Sequence, residues 1–482
     1  MKMNKIISCF ESVVLNRDLF RVVNLVICLI YFMPSTYNIA NMPMKGAVVW
    51  GSIIIVYEIL IKRSFFKMRY SYLLILGIVS FMITVLLNRA YFFVPSIYNL
   101  VYLMITLIVI YPVDFSQDSE TRKKKIIQFN NVFIVIILIA TFISIVQFVL
   151  LISYRVPTGT PGIVARQGFI ENRLFGVYTS PNVGAMFGYT SIILSIFSGL
   201  LNNLTKKIQL LYIINFAVQV IYIILSSSRG AQLVIISFLF LFLVFLFQSS
   251  FRKAVTERTS INIRWLIAIA LIFLVFFTIG NTYAKNLLAK IPVAIENKIE
   301  IKKTDQVEDN LDRPDKVVVQ HSDGNSEFSA GRFSIWKAAV KATEPTLFFG
   351  HGETDFFGNS DGTVLDKVQL NSMDINELRR AHGNMHNGYI QVIVSSGIIG
   401  FICFYIFYMC NIFKLIKLFF IKKSQSVEID YALLGIVLIF LLSIFANELV
   451  ESHLLFNKRD VISIVFWYYL GNISFMYLKK EN

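Results

Sequence analysis

Long apolar segments constrain this chain more than any other sequence feature. Runs of roughly 18 to 22 mainly apolar residues recur along it, and that length crosses the hydrocarbon core of a bilayer. Apolar residues make up 56% of the chain and charged residues only 16%, whereas soluble proteins carry about 25% charged residues. Because a helix in lipid satisfies its own backbone hydrogen bonds, these segments predict an all-α integral membrane protein.

Twelve transmembrane helices are predicted along the chain. They lie near residues 22–40, 47–61, 71–88, 92–111, 131–153, 183–201, 208–226, 231–247, 264–283, 390–413, 431–449 and 461–478. The predicted organisation is a cytoplasmic N-terminus at 1–21, spans 1 to 9 within 22–283, a large extracytoplasmic loop domain at 284–389, spans 10 to 12 within 390–478, and a cytoplasmic tail at 479–482.

The distribution of basic residues predicts the orientation of these spans. With a cytoplasmic N-terminus, the inner segments hold 24 Lys and Arg residues and the short outer loops hold eight. Cytoplasmic loops of membrane proteins carry such an excess of positive charge. The formal charge of +15 is therefore explained by topology, and no nucleic-acid partner is predicted. The first apolar segment has no small-residue cleavage site, which argues against a cleavable signal.

The loop domain changes character along its length. Residues 296–327 alternate acidic and basic side chains and predict an exposed, partly disordered excursion. Residues 329–340 then predict an amphipathic helix with Phe333, Trp336 and Val340 on one face. A second short helix is predicted at 372–380, with Ser372 as its cap.

Arginines recur in the outer segments, where positive charge is disfavoured. Arg229 lies in a tight Ser-rich turn between two spans, and Arg332 lies at the start of the amphipathic helix. Arg166 and Arg173 share the outer loop at 154–182. Each has an ordinary reading as an interfacial or surface arginine. Because the guanidinium fork binds two phosphate oxygens at once, the set also predicts a diphosphate site that needs no metal ion.

The histidines offer a general base. His382 and His386 have the spacing of a helical metal pair, but Gly383 and Gly388 make a regular helix there doubtful. His386 is therefore interpreted as a general base, with capping of the next span as the alternative. No metal site is predicted, and the four cysteines all lie outside the loop domain.

Two acidic residues lie at the outer end of the eleventh span. Glu448 and Glu451 have an ordinary reading as headgroup-zone residues. The functional alternative is that one of them orients an arginine or the histidine.

Taken in order, these elements resemble the O-antigen polymerase and O-antigen ligase superfamily of bacterial membrane glycosyltransferases. The matching segments are 173–176 with 181–182, 228–230, 331–332 with Trp336, 350–352, 386–389 and 397–400. The charged insertion at 296–327 and the extra His382 depart from the usual pattern. The second departure leaves open which histidine is the base.

The resemblance implies a donor glycan on undecaprenyl diphosphate and an acceptor of the same kind. Arg229 and Arg332 would grip the diphosphate, and His386 would activate the acceptor hydroxyl. Further predicted substrate contacts are Arg166, Arg173, Asn182, Asn387 and Glu448. No cofactor is expected, and possible protein partners are a chain-length regulator and a flippase.

Three functions remain open from the sequence. The leading one is a polymerase that joins lipid-linked oligosaccharide repeats into capsular polysaccharide or O-antigen. The others are a ligase that moves finished glycan onto a lipid or protein acceptor, and a lipid-oligosaccharide transporter. The predicted location is the bacterial inner membrane, with the active site on the extracytoplasmic side.

Overall fold

A computed structural model describes residues 13–157, 164–202, 204–300, 319, 331–357, 370–421 and 429–477. The chain divides into two compact units. Unit 1 comprises Met1–Leu25, Met44–Thr121 and Asn325–Asn482, and unit 2 comprises Val26–Pro43 and Arg122–Gly324.

Helices dominate the described residues. In the first half of the chain they are α1 (Arg17–Tyr31), α2 (Tyr37–Tyr57), α3 (Ser64–Lys67), α4 (Ser71–Leu87), α5 (Arg89–Met104), α6 (Ser119–Val149), α7 (Pro181–Leu201) and α8 (Lys206–Ser226). In the second half they are α9 (Arg229–Phe245), α10 (Ser249–Thr259), α11 (Ile263–Val275), α12 (Asn281–Leu288), α13 (Lys290–Glu300), α14 (Arg332–Thr343), α15 (Ser372–Ala381), α16 (Gly388–Ile421), α17 (Tyr431–Asn447) and α18 (Val461–Tyr477). Three strands, β1 (Ser153–Pro157), β2 (Val164–Ile170) and β3 (Arg173–Gly176), lie between α6 and α7.

The prediction of a helical, multi-pass membrane protein is confirmed. Seven helical segments among the described residues are long and apolar enough to cross a bilayer, and an eighth is added if the bent pair α9 and α10 forms one span. Three shorter apolar helices, α4, α17 and α18, fall below that length. The count of twelve spans stays a prediction, as do the domain boundaries.

The prediction of one continuous helix at 22–40 is wrong. Helix α1 ends at Tyr31, a short 3-10 turn follows at Pro34–Thr36, and α2 begins at Tyr37. Pro34 lacks an N–H group and lies at the first position of that turn, where no helical donor is required. A long helical stretch runs from Ile263 to Ile295, and the boundary predicted at 283/284, which stays a prediction, lies within it.

The purely α-helical prediction missed a small sheet in unit 2. Strands β1, β2 and β3 form an antiparallel sheet in that order, almost wholly within the segment predicted to be an outer loop at 154–182. The register shifts between Gly168 and Phe169, where Gly168 has a φ of +88°. Such a bulge requires left-handed backbone, which glycine adopts without a Cβ penalty. The sheet places Arg173 at the start of its last strand.

Buried polar side chains join three helices of unit 2. Thr141 of α6 donates to Gln219 of α8 at 2.9 Å, and Gln219 donates in turn to Asn215 at 3.0 Å. Asn215 accepts from Ser191 of α7 at 3.1 Å. Hydrogen bonds of this kind tie apolar helices together where the hydrophobic effect offers little preference for one helix contact over another.

Unit 1 contains a broken helix. Gly397 has a φ of +67° inside α16, which interrupts the helical hydrogen bonds there. A loop before α15 supplies partners for the interrupted backbone: Ile398 N–H donates to the Leu347 carbonyl at 2.9 Å, and His351 N–H donates to the Val394 carbonyl at 2.8 Å. Non-helical backbone at an apolar depth requires such partners. The segment 350–352 that contributed to the family resemblance therefore packs against this break.

The loop-domain predictions are partly correct. Helix α14 forms, but it buries Ile335, Ala338, Ala339 and Ala342, whereas Phe333 and Val340 are exposed, so the predicted apolar face is wrong. Helix α15 forms with Asn371 rather than Ser372 as its cap. The charged excursion predicted at 296–327 lies largely outside the described residues, beyond the end of α13 at Glu300.

Candidate active site

One carboxylate joins two of the predicted catalytic residues in unit 1. Oε2 of Glu451 lies 3.1 Å from Nδ1 of His386, and Oε1 accepts a hydrogen bond from Nη2 of Arg332 at 3.0 Å. The Arg332 guanidinium also donates to the carbonyl of Val450. Glu451 is buried, whereas 32% of the His386 side chain is exposed. The structure thus brings Arg332 and His386 together around a buried carboxylate and leaves the imidazole accessible.

The turn before α16 holds His386 in an unusual backbone conformation. Helix α15 ends at Ala381, and both His382 and His386 have left-handed φ values, 44° and 48°. The Asn384 side-chain oxygen accepts the N–H of His386 at 2.9 Å. The two histidines therefore do not lie on one regular helix, as the glycines of the turn predicted.

Asn387 begins helix α16. Its side-chain oxygen accepts the N–H groups of Tyr389 and Ile390 at 3.0 and 3.1 Å, which is the geometry of an N-cap. Its Nδ2 donates to the carbonyl of Leu449 at 3.1 Å. The side chain is buried. The geometry therefore indicates that Asn387 positions the neighbouring His386. A direct contact of Asn387 with substrate stays a prediction.

Glu448 packs against the turn before α16, but its carboxylate does not take part in the contact between Glu451 and the His386 imidazole. Its carboxylate accepts the N–H of His453 at 2.8 Å and of Leu454 at 3.4 Å. Its carbonyl and that of Glu451 both accept the N–H of Gly388. The structure thus gives the loop-holding role to Glu448, and its predicted substrate contact is untested.

Electrostatics favour an ionised Glu451. Burial opposes ionisation, but the hydrogen bond and charge of His386, with the charges of Arg332 and His453, outweigh it and hold the pKa of Glu451 at about 2. An ionised carboxylate beside Nδ1 favours the tautomer in which that nitrogen carries the proton. The other ring nitrogen, Nε2, makes no hydrogen bond with any described residue and is the open proton acceptor.

The remaining histidines are elsewhere. His453 is buried, with Nδ1 2.8 Å from the Asp460 carboxylate. His351 is also buried, and its Nε2 lies 3.0 Å from the carbonyl of Ala342. His321 lies outside the described residues. Among the described residues, no group of three or more His, Cys, Asp or Glu side chains could hold a metal ion.

The other predicted arginine site lies in unit 2. Nη2 of Arg173 donates to the side-chain oxygen of Asn182 at 2.9 Å, and its Nε donates to the carbonyl of Ser226 at 2.9 Å. Asn182 is held in place because Ser180 caps the start of α7. Two of the predicted substrate-contacting residues are therefore in direct contact, and they lie beside the end of α8.

Arg229 begins α9 after a turn of only two residues. Ser227 has a φ of 52°, and Ser228 caps the helix by accepting the Ala231 N–H at 3.3 Å. The Arg229 side chain is exposed. The hydroxyl of Ser227 is buried and has no hydrogen-bond partner among the described residues. A helix N-terminus, an exposed guanidinium and an unpartnered hydroxyl together form an arrangement that suits an anion.

A third cation lies near this site, and one predicted member does not. The charge of Lys285, in α12, is within electrostatic range of Arg173 and Arg229. Like charges repel, so their proximity is favourable only when an anion or solvent balances them. Arg166 instead forms an exposed ion pair with Glu171. The convergence of Arg229 with Arg332 and His386 on one substrate remains a prediction.

Sequence reasoning left one member of these clusters undecided and missed another. It predicted that either Glu448 or Glu451 orients an arginine or the histidine, and in the structure Glu451 contacts both His386 and Arg332. It also passed over Lys285, which follows an apolar span and resembles the other interfacial lysines. In each case the distinguishing signal is three-dimensional.

Residues 214–405 match the family model described as O-antigen ligase. That segment contains Arg229, Lys285, Arg332 and His386, and it ends inside α16. No curated protein sequence matches the chain at a significant level.

Proposed function

We propose that the chain is a membrane glycosyltransferase of the O-antigen polymerase and ligase superfamily that polymerises lipid-linked oligosaccharide repeats, since residues 214–405 match the family model described as O-antigen ligase. The donor is a glycan on undecaprenyl diphosphate, and the acceptor is the terminal sugar of a second such repeat. The product is capsular polysaccharide or O-antigen, made at the outer face of the cytoplasmic membrane. The observation that carries the proposal is the contact of Glu451 with both His386 and Arg332.

The chemistry follows from that contact. An acceptor hydroxyl attacks the anomeric carbon of the donor while its proton passes to Nε2 of His386. Glu451 holds the ring through Nδ1 and stabilises the imidazolium that forms, as a buried carboxylate does in other histidine-dependent transferases and hydrolases. Arg332 fixes the carboxylate. A single displacement of this kind inverts the anomeric configuration.

The leaving diphosphate needs positive charge rather than a base. Arg229 at the N-terminus of α9 supplies a guanidinium next to helix N–H groups, and Arg173 and Lys285 add two further cations. Fixed positive groups of this kind stabilise charge that develops in the transition state. Arg332 keeps donors beyond the two used for Glu451 and Val450, so a role in diphosphate binding is also proposed for it. No metal ion is required by this scheme.

A ligase is the second candidate, because the matching family model is described by that activity. Glycan analysis of a deletion strain distinguishes the two. A polymerase predicts single repeats on the lipid carrier and no long chains. A ligase predicts full-length chains that stay on the carrier. Normal polymer on its normal acceptor would contradict both.

A further inference from the structure

A polar cavity of about 350 Å³ lies in unit 1, next to the turn that carries His386. Its walls come from three loop segments, 353–355, 382–384 and 456–458, and from the first half of α5. The proposed chemistry assigns it no role. Asn384 connects the two features, because it lines the cavity and accepts the backbone N–H of His386.

The walls are held together by Gln391, in the first turn of α16. Its Nε2 donates to the Thr354 hydroxyl at 3.0 Å and to the Gly383 carbonyl at 3.1 Å, while its Oε1 accepts the Met385 N–H at 2.9 Å. Gly383 approaches Asp355 so closely that a Cβ at that position would lie 3.0 Å from the Asp355 backbone nitrogen. The cavity is therefore preformed.

The polar lining is only partly used within the protein. Lys458 pairs with Glu353 at 2.6 Å, which balances one carboxylate. Oδ1 of Asp355 accepts the Phe357 N–H at 3.2 Å, and Oδ2 makes no hydrogen bond with the described residues. The amide nitrogen of Asn384 is likewise open within the part of the chain that the structure describes. An acceptor and a donor therefore remain for a ligand.

Apolar surfaces face the same space. Phe92 and Pro95 of α5 line the cavity together with Phe456. Aromatic rings and proline present flat apolar faces, whereas the carboxylate and amide offer directional hydrogen bonds. Lys458 is paired with Glu353, and Asp355 adds a further carboxylate, so the lining does not suit a diphosphate. It suits an uncharged ring that has hydroxyl groups at its edge and C–H groups on its faces.

We propose that this cavity is the acceptor-sugar subsite. It is lined by His382, Gly383 and Asn384 of the turn that carries His386, and it binds a neutral or N-acetylated sugar at the end of the acceptor chain next to that histidine. The assignment rests on the proposed glycosyl transfer. Oδ2 of Asp355 would accept hydrogen bonds from one or two hydroxyl groups of the sugar. Phe92 and Phe456 would pack against the ring.

Direct binding tests this subsite without requiring turnover. The probe is a set of reducing-end-capped oligosaccharides from partial acid hydrolysis of the host's surface polysaccharide, and the full-length protein is held in nanodiscs for saturation-transfer NMR. Asp355→Asn keeps Oδ1 for the Phe357 N–H and replaces Oδ2 with an amide nitrogen. Because this variant loses a hydrogen bond to a charged group, its affinity for the saccharides should be lower by about tenfold or more. Asp118→Asn, at an exposed carboxylate at the start of α6, is the matched control and should bind as the wild type does.

A transfer assay with saturating lipid-linked donor adds a second readout. Asp355→Asn should raise the acceptor KM with little change in donor KM, whereas His386→Ala should abolish transfer and still bind the saccharides. Failure of His386→Ala to reduce transfer would count against the proposed chemistry alone. Saccharide binding that is absent in the wild type, or equal in wild type and Asp355→Asn, would overturn the subsite even where polymerisation is normal.

Discussion

Nδ1 of His386 lies 3.1 Å from Oε2 of Glu451, a carboxylate whose other oxygen is bound to Arg332. This contact turns the histidine so that Nε2 is the nitrogen left open. The carboxylate is buried and ionised, so removing its charge should disturb the histidine more than removing an exposed carboxylate would. The two residues are 65 positions apart in the chain.

Glu451→Gln is expected to reduce kcat by about 10²-fold or more, because the orientation of the base and the stabilisation of its protonated form are both lost. The acceptor KM should change little. The measurement is the initial rate of lipid-linked repeat transfer by purified protein in nanodiscs. Glu257→Gln, at an exposed carboxylate of α10, is the matched control. Wild-type kcat in Glu451→Gln would remove Glu451 from the mechanism.

His386→Ala is expected to lose nearly all transfer, whereas His382→Ala should keep most of its kcat. The reason is geometric: among the described residues, only His386 of the two makes the contact with Glu451. The same transfer assay compares them. Equal and mild losses in both variants would eliminate His386 as the base, and a reversed order would assign that role to His382.

The helical class and two residues of the candidate site, Arg332 and His386, could be predicted from the sequence because they depend on local patterns. Apolar length predicts spanning helices whatever their neighbours, and an arginine or histidine next to glycines at the start of a helix is conspicuous. The choice between Glu448 and Glu451 could not be predicted in this way. The two residues are three positions apart at the end of the same predicted span. Only the irregular turn after α17 points one toward His386 and the other toward the backbone of His453.

The small sheet was missed for a related reason. Its strands are four to seven residues long and mix polar and apolar side chains without strict alternation, so neither apolar alternation nor length distinguishes them from a loop. Hydrogen bonds between consecutive strands create the sheet. The contact of Arg173 with Asn182 was therefore not predicted, although both residues were predicted separately as substrate contacts.

Arg229→Ala is expected to abolish polymer and leave single repeats on the lipid carrier, because the α9 N-terminus would lose its guanidinium for the leaving diphosphate. Arg229→Lys should rescue only partly, since an ammonium cannot bind two oxygens in a fork. The measurement is gel analysis of surface polysaccharide with mass spectrometry of carrier-linked repeats. Arg166→Ala is the comparison and should change polymer yield little, since Arg166 is paired with Glu171 at the surface. Normal chain length in Arg229→Ala would contradict the diphosphate role.

The free energy of unfolding should fall as the pH rises through the range in which His453 loses its proton. Burial lowers its pKa, but the Asp460 carboxylate, with Glu448 and Glu451, outweighs burial and raises the pKa to about 9. Since the unfolded value is about 6.5, the stabilisation is fully present below about pH 6.5 and is lost as pH rises through about 9, on the order of a few kcal/mol.

Thermal unfolding in detergent between pH 6 and 9.5 measures this dependence. Asp460→Asn keeps an oxygen to cap α18, where Asp460 accepts the Ile462 N–H at 2.7 Å, but it removes the charge beside His453. That variant should have a lower Tm than the wild type near pH 6.5, and its Tm should fall less steeply as the pH rises. A wild-type Tm that rises from pH 7 to pH 9 would contradict the assignment of a charged His453.

Gly388→Ala should disrupt the candidate site through packing alone. A Cβ at Gly388 would lie 1.8 Å from Oε2 of Glu448, and the Gly388 N–H also donates to the carbonyls of Glu448 and Glu451. Because overpacking at a buried contact costs about 1–3 kcal/mol or more, the variant should unfold at lower temperature and lose activity by displacing Glu451. Gly46→Ala is the matched control: its Cβ meets nothing within 4 Å in the interior of α2, and alanine favours a helix there. Equal Tm and activity in the two variants would show that the Gly388 turn tolerates a side chain and that Glu451 does not depend on it for position.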